Sequence, residues 1–260
     1  MTTNVKKLLD LTNRIALITG GSRGLGLQMA EALGEMGAKV AISARKKDEL
    51  DEAASHLKSL GITSHSFVCD IGKREQIAPL ADAVLKDFGK VDILVNNAGA
   101  TWGAPAEDHP LDAWDKLVNV NLTGAFLLSQ QLAKRSMIPH KWGRIVNIAS
   151  IAGLTASDPR VVKTVAYNAT KHGLVGLTRQ LAAEWGRYGI TVNAICPGFF
   201  PSKMTKATLG KDLQLILDTT PTGRVGNDED LKGLVVLLAS EASRHITGQA
   251  IAVDGGATIL

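Results

Sequence analysis

Residues 14–26 read Arg14-Ile15-Ala16-Leu17-Ile18-Thr19-Gly20-Gly21-Ser22-Arg23-Gly24-Leu25-Gly26. Within the first six, Ile15 to Ile18 are apolar on successive positions, the pattern of a strand buried on both faces. A glycine-rich turn follows and opens the amphipathic stretch Gly24 to Glu35. Glycine lets a backbone turn sharply and approach a ligand closely. The helix behind it presents free N–H groups and a positive dipole end, so the arrangement suits a pyrophosphate. The spacing is Gly20-x-x-x-Gly24-x-Gly26, which differs from the commoner G-x-G-x-x-G fingerprint.

Outward from this turn the same alternation recurs. Lys39 to Ser43, Thr63 to Cys69, Asp92 to Asn96, Arg144 to Ala149, Thr191 to Ile195 and Ala250 to Val253 read as further short strands. Amphipathic stretches lie between them at Lys47 to Leu60, Lys73 to Phe88, Leu111 to Met137, Val165 to Trp185 and Asp228 to Ala239. Strand and helix in alternation predict an α/β fold, a Rossmann-like, doubly wound parallel sheet of about seven strands with helices on both faces. No Ser/Pro linker or charge block divides residues 1–260, so one domain is expected. Phe199 to Asn227 interrupts the rhythm after the sixth strand with Gly, Pro and polar residues. Loops at the carboxyl ends of such strands surround the ligand, so this stretch is the expected substrate lid.

Composition narrows the class without naming it. The chain has 260 residues, 45% hydrophobic and 4% aromatic, with 26 Gly and a net charge of +4. That apolar fraction excludes disorder, and the unperiodic glycine excludes collagen. Two cysteines, Cys69 and Cys196, cannot form a disulfide scaffold and suit a reducing compartment. Residues 1–14 lack the apolar run of a signal peptide, and no apolar stretch approaches the ~18 residues of a membrane span. A cytoplasmic protein without a membrane partner is expected. The six histidines show neither i, i+4 pairing nor a nearby cysteine pair, so no metal site is predicted. No stacking aromatics accompany the basic residues, which argues against nucleic acid.

The charge after the second strand selects the dinucleotide. An acidic residue there accepts hydrogen bonds from an adenosine ribose. Here the strand runs Ile42-Ser43-Ala44-Arg45-Lys46-Lys47, with no carboxylate before Asp48. Arg45, with Arg23 in the glycine turn, suits a 2′-phosphate and so NADP(H) over NAD(H). The chemical signature lies further on. Tyr167 and Lys171 stand at i, i+4 on one helix face, and Ser150 ends the fifth strand. A nearby cation lowers a phenol's pKa, bringing Tyr167 toward proton transfer near neutrality.

With these residues in place the chain resembles the short-chain dehydrogenase/reductase family from Arg14 to Gly256. The likeness is carried by Thr19 to Gly26, Asn96-Asn97-Ala98-Gly99, Asn121, Ser150, Tyr167-x-x-x-Lys171, Pro197-Gly198 and Val253-Asp254-Gly255-Gly256. The resemblance implies a catalytic tetrad. Tyr167 would exchange the proton, Ser150 polarise a carbonyl, Lys171 hold the nicotinamide ribose and Asn121 anchor a water. It implies cofactor contacts at Gly20, Ser22, Arg23, Gly24, Leu25, Gly26 and Arg45 around the phosphates. Asp70, Ile71, Asn97, Ala98 and Gly99 follow along the groove, with Tyr167, Lys171, Pro197, Gly198, Phe200 and Ser202 near the nicotinamide. The implied reaction is NADP(H)-dependent interconversion of a ketone and a secondary alcohol. The overall sequence is most similar to 3-oxoacyl-thioester reductases, with sugar-acid dehydrogenases such as gluconate 5-dehydrogenase as the alternative. The substrate is a small carbonyl or alcohol, free or carried on a thioester. A non-catalytic NADP(H)-binding scaffold is the rival, against which the intact tetrad stands. Family members assemble through their fourth and fifth helices and last strand, so a homotetramer or dimer is implied. Three departures from the family stand out: seventeen positions separate Ser150 from Tyr167, a longer interval than usual; Ser202 stands where a threonine is common; and Phe199, Phe200 and Pro201 make the lid root bulkier and more apolar than a sugar-only pocket requires.

Overall fold

The computed structural model describes residues 3–260; Met1 and Thr2 of the predicted domain lie outside them. The chain begins with α1 (Val5–Leu9), then β1 (Ile15–Thr19), α2 (Gly24–Glu35), β2 (Lys39–Ala44), α3 (Lys47–Ser59), β3 (Ser64–Val68), α4 (Ile77–Phe88) and β4 (Ile93–Asn96). α5 (Leu111–Val118), α6 (Gly124–Leu132) and α7 (Ile138–His140) follow, and then β5 (Gly143–Ile148) and α8 (Val165–Trp185). β6 (Ile190–Pro197), α9 (Lys206–Asp218), α10 (Lys232–Ala239) and β7 (Ala250–Val253) complete it. All neighbouring strands are parallel, in the order β3-β2-β1-β4-β5-β6-β7. The order reverses between β1 and β4. Beyond their carboxyl ends lies the crevice where open α/β sheets bind ligands.

Alternation along the strands builds two cores. Ala16 and Ile18 of β1 face one side, with Met29 and Leu33 of α2, Leu50 of α3 and Val235 of α10. Leu17 faces the other, with Leu80 and Val84 of α4, Leu128 of α6 and Leu181 of α8. Burial of both faces is why β1 and β4 read as nearly continuous apolar runs, and why the polar residues within the equally buried β5 and β6, such as Asn147 and Asn193, need hydrogen-bond partners. The edge strands β3 and β7 are more exposed.

A buried polar chain registers the site-bearing helices on this sheet. Asn96 Nδ2 donates to Ser129 Oγ at 3.0 Å and to Asn147 Oδ1 at 2.8 Å, and Asn147 Nδ2 donates to Thr178 Oγ1 at 2.9 Å. β4, β5, α6 and α8 are thereby locked to one another. Leaving any of these buried groups unpaired costs about 1–3 kcal/mol, so sliding α8 along the sheet is disfavoured.

Three differences from the sequence reading have physical causes. The segment predicted as one helix from Leu111 to Met137 carries two π-helical turns, Asn119–Thr123 and Ala133–Met137. Residues 199–227, read only as an interruption, contain the helix α9, whose one buried residue is Ile216. With so little apolar face, and non-helical dihedrals at Asp212, it leaves almost no periodic signal. The stretch predicted from Asp228 becomes α-helical only at Lys232, because Asn227 accepts the N–H groups of Glu229 and Asp230 in a turn. Among the described residues, no helix is long and apolar enough to cross a membrane.

Candidate active site

The phosphate turn is fixed by the end of β4. Thr19 Oγ1 accepts the N–H groups of Asn97 and Ala98, both at 3.0 Å. Asn97 Nδ2 donates to the carbonyls of Thr19 at 2.9 Å and Gly20 at 3.2 Å. Gly20 takes φ +65°, which lets the chain reverse there. A Cβ on Gly26 would lie 2.2 Å from the Gly20 carbonyl oxygen, so α2 packs against the turn only with glycine at that position. α2 starts at Gly24 with no side chain capping its N-terminus, and nothing lies within 4 Å of where a Gly24 Cβ would project.

This uncapped terminus faces a cavity of about 540 Å³, within the usual range for small-molecule sites. All eighteen residues assigned to the cofactor from the sequence line this cavity, from Gly20 to Ser202. Free N–H donors, a helix dipole and glycine-made space fit the pyrophosphate of a dinucleotide.

Ser150, Tyr167 and Lys171 meet at the cavity's other end. Ser150 follows β5, and its Oγ accepts the Ala152 N–H at 3.1 Å, capping a short 3-10 turn that aims the hydroxyl at Tyr167. Lys171 is buried and donates from Nζ to the Ile148 carbonyl at 2.7 Å. Asn121 lies behind them in the first π turn, 2% exposed, and does not line the cavity. Its side chain accepts the Ala100 N–H at 2.8 Å and donates to the Ala100 carbonyl at 2.9 Å and to Thr170 Oγ1 at 3.0 Å. Thr170 in turn donates to the Tyr167 carbonyl at 2.9 Å. Asn121 thus braces the loop after β4 against the turn of α8 that bears Tyr167 and Lys171.

The electrostatics of this corner differ from the sequence expectation. Burial raises the Tyr167 phenol above its ordinary value, and the neighbouring Ser150 hydroxyl opposes part of that rise. The Lys171 ammonium lies 5.5 Å from the ring centroid and is directed to a backbone carbonyl, and the net shift of the phenol is upward. Burial lowers Lys171 itself from 10.5 to about 8. An unfolded chain holds this proton up to about pH 10.5 and the folded one to about 8. Lys171 therefore opposes folding below pH 8, and the penalty fades as pH rises through that window. In a lysine-labelled NMR titration of the cofactor-free protein, one resonance is expected to titrate near 8 and to vanish in Lys171→Met. A Lys171 midpoint at 10.5 or above would contradict this. Cys196 packs beneath the site, and burial pushes its thiol up to about 11, so it is an inert wall.

At the adenosine end, Arg45 is exposed on the cavity rim. Arg23 Nη1 pairs with Glu49 Oε1 at 2.6 Å, and Lys46 Nζ lies 3.3 Å from the same oxygen. Glu49, Thr170 and Lys203 escaped the sequence reading, and Thr19 and Lys46, quoted there within their motifs, were given no task of their own. Glu49 stands in the first turn of α3, where an acidic residue ordinarily complements the helix dipole, so nothing in its spacing marked it.

At the substrate end, the long interval before Tyr167 is ordered. Ala104 bridges to Thr164 in parallel, its N–H donating to the Lys163 carbonyl at 2.9 Å, and Ser157 and Thr164 both bond Asn168. Trp102, 46% exposed, Leu154 and Met204 stand on the loops after β4, β5 and β6. Phe200 turns inward, packed on Gly226 and 4% exposed. Among the described residues, no group of three or more His, Cys, Asp or Glu side chains is arranged to hold a metal ion.

Fold order, phosphate turn and the Ser150–Tyr167–Lys171 corner define a dinucleotide-dependent oxidoreductase of the short-chain type. The short chain dehydrogenase family matches residues 14–212. A gluconate 5-dehydrogenase of Gluconobacter oxydans is 37% identical over 254 residues, covering 97% of each chain. A 3-oxoacyl-(acyl-carrier-protein) reductase of Staphylococcus epidermidis is 37% identical over 246 residues, covering 94% of this chain and 98% of its own. The crystal structure of a gluconate 5-dehydrogenase from Burkholderia cenocepacia in complex with NADP and tartrate superposes with a TM-score of 0.92 at 35% identity, covering 99% of this chain and 100% of that one. The chain belongs to the short chain dehydrogenase family, whose members act between CH–OH and C=O groups.

Proposed function

We propose that the protein is an NADP(H)-dependent reductase of a ketone, or dehydrogenase of the matching alcohol, working as a single domain with residues 199–227 as its lid. One observation carries this reading: the uncapped start of α2 and the Ser150–Tyr167–Lys171 corner open into one cavity. The named relative crystallised with NADP supports the choice of dinucleotide, as do Arg23 and Arg45 on the rim. Bound NADP(H) supplies the hydride chemistry. The chain's own residues position and protonate. Ser150 donates a hydrogen bond to the substrate oxygen, and Tyr167 gives or takes the proton at its phenolic oxygen. Lys171 holds a positive charge beside them, and Asn121 keeps the two α8 residues in place. Burial keeps the phenol protonated at neutral pH, the form a reductase needs for proton donation.

Met204 at the cavity, with Trp102 and Leu154 exposed on the loops after β4 and β5, favours a 3-oxoacyl thioester. The second reading, a sugar-acid dehydrogenase, is favoured by the named gluconate 5-dehydrogenases and by the Lys203 cation at the cavity. NADPH oxidation with acetoacetyl-CoA, a 5-ketogluconate and an aryl ketone separates them. A higher kcat/KM for acetoacetyl-CoA supports the first, and a higher value for the ketogluconate replaces it with the second. Silence with all three despite NADPH binding returns the non-catalytic scaffold. In the same assay, Ala44→Asp is expected to shift preference toward NADH by about tenfold or more, a like-charge effect of roughly 1–2 kcal/mol at a half-exposed site. Unchanged NADPH affinity in Arg45→Ala would remove Arg45 from the phosphate site.

Assembly as a homotetramer or dimer fits the exposed Leu111, Trp114 and Val165 on α5 and α8 and the exposed Ile259 and Leu260 after the edge strand β7. Sedimentation at micromolar concentration measures it.

A further inference from the structure

We propose that Glu49 is a built-in competitor for the 2′-phosphate: its carboxylate occupies the donors that this phosphate takes, and so sets the affinity for phosphorylated over unphosphorylated dinucleotide. The inference rests on the NADP(H) reading above and concerns a residue that reading leaves without a task. Three donors from two elements converge on Glu49. Arg23 lies at 2.6 Å, Lys46 at 3.3 Å, and Ser22 Oγ donates to its Oε2 at 3.5 Å. All four residues line the cavity beside Arg45. Among the described residues, the only other acidic side chain lining that cavity, Asp70, accepts the Gly72 N–H at 3.1 Å.

A hydroxyl, a guanidinium and an ammonium around one anion form a phosphate's natural donor set. Here a carboxylate already fills it. A dianionic phosphate brought to the same donors meets a like charge a few ångströms away and competes with it for Arg23 Nη1. Glu49 is pulled in two directions. Its partial burial raises the carboxyl pKa, but Lys46, Arg23 and Lys203 outweigh this and hold it below the ordinary range, so it is ionised at neutral pH. The pair is partly exposed, with Arg23 at 50% and Glu49 at 21%, which keeps the repulsion moderate.

The test is equilibrium binding, read by NADPH fluorescence and by calorimetry with 2′,5′-ADP, with thermal melts to check folding. Glu49→Gln keeps the shape and removes the charge. It is expected to tighten NADPH and 2′,5′-ADP by about five- to tenfold and to change NADH by less than about twofold. Glu49→Ala moves in the same direction. Adding Arg23→Ala to Glu49→Gln erases most of the gain, because the released partner is then missing. NADPH binding within twofold of wild type in both single variants overturns the inference. So does weaker binding in both, which makes Glu49 an orienting partner of Arg23. A wild type that binds NADPH no better than NADH and ignores 2′,5′-ADP overturns the NADP(H) reading, and the inference with it.

Discussion

Tyr167→Phe is expected to lower kcat by about 10²- to 10⁴-fold, the usual contribution of a positioned acid or base, while the NADPH dissociation constant changes by less than about twofold. The substitution deletes one oxygen from a half-buried ring at the cavity wall. The ring's packing and the Thr170 bond to the Tyr167 carbonyl are left intact. Lys171 keeps its own anchor on the Ile148 carbonyl. The other proton-bearing groups at this corner are committed elsewhere: Ser150 holds the substrate oxygen, Lys171 is directed to the Ile148 carbonyl, and Cys196 is buried with its thiol held protonated. Steady-state kinetics with the best substrate of the panel, alongside fluorescence titration of NADPH, separates loss of chemistry from loss of binding. Turnover near the wild-type rate would remove Tyr167 from proton transfer.

The second large effect is expected from Gly26→Ala. The new Cβ would stand 2.2 Å from the Gly20 carbonyl oxygen and 2.5 Å from Asn97 Nδ2. Backbone cannot yield there without breaking the Asn97 bonds that join β1 to β4. Overpacking of this kind costs about 1–3 kcal/mol, and each kcal/mol lowers Tm by roughly 2–4 °C in a chain of this size. The phosphate turn also shifts, so NADPH affinity falls by about tenfold or more, since one lost charge-assisted bond is worth roughly 1.5–3 kcal/mol. Gly233→Ala in α10 is the control. Nothing lies within 4 Å of its Cβ, and alanine there holds stability or gains up to about 1 kcal/mol. Calorimetry and titration on both variants test the contrast. A stable Gly26→Ala with wild-type NADPH affinity would contradict the tight packing.

Much of this architecture was legible because doubly buried strands leave contiguous apolar runs. The predicted segments at β1, β2 and β4 fall within a residue or two of the observed ends, and even the half-exposed β3 was bracketed by Thr63 to Cys69. The catalytic corner was legible because its residues are tied to element ends: Ser150 after β5, Tyr167 and Lys171 one turn apart on α8. What escaped depends on contacts between distant segments. Glu49 reaches Arg23 across 26 residues, and Asn121 reaches Thr170 across 49. α1 has no buried residue and α9 only one, so neither carried a periodic pattern to read. The phenol's upward shift belongs to the same group, since burial depth is not written in an i, i+4 spacing.

The π turn at Asn119–Thr123 ties the chain's length here to its chemistry. A π turn holds one residue more than the α-helical repeat, and each residue of a helix advances the next by about 100°. Deleting a single residue between α5 and α6 would let the ladder close as plain α-helix, and propensity alone would welcome the change. Everything on one side of the deletion would then rotate by that angle, and Asn121 would swing away from Ala100 and Thr170 while its neighbours in sequence stayed the same. This stretch therefore tolerates exchange of side chains far better than any change in residue count. The register of the active site is stored as a surplus residue.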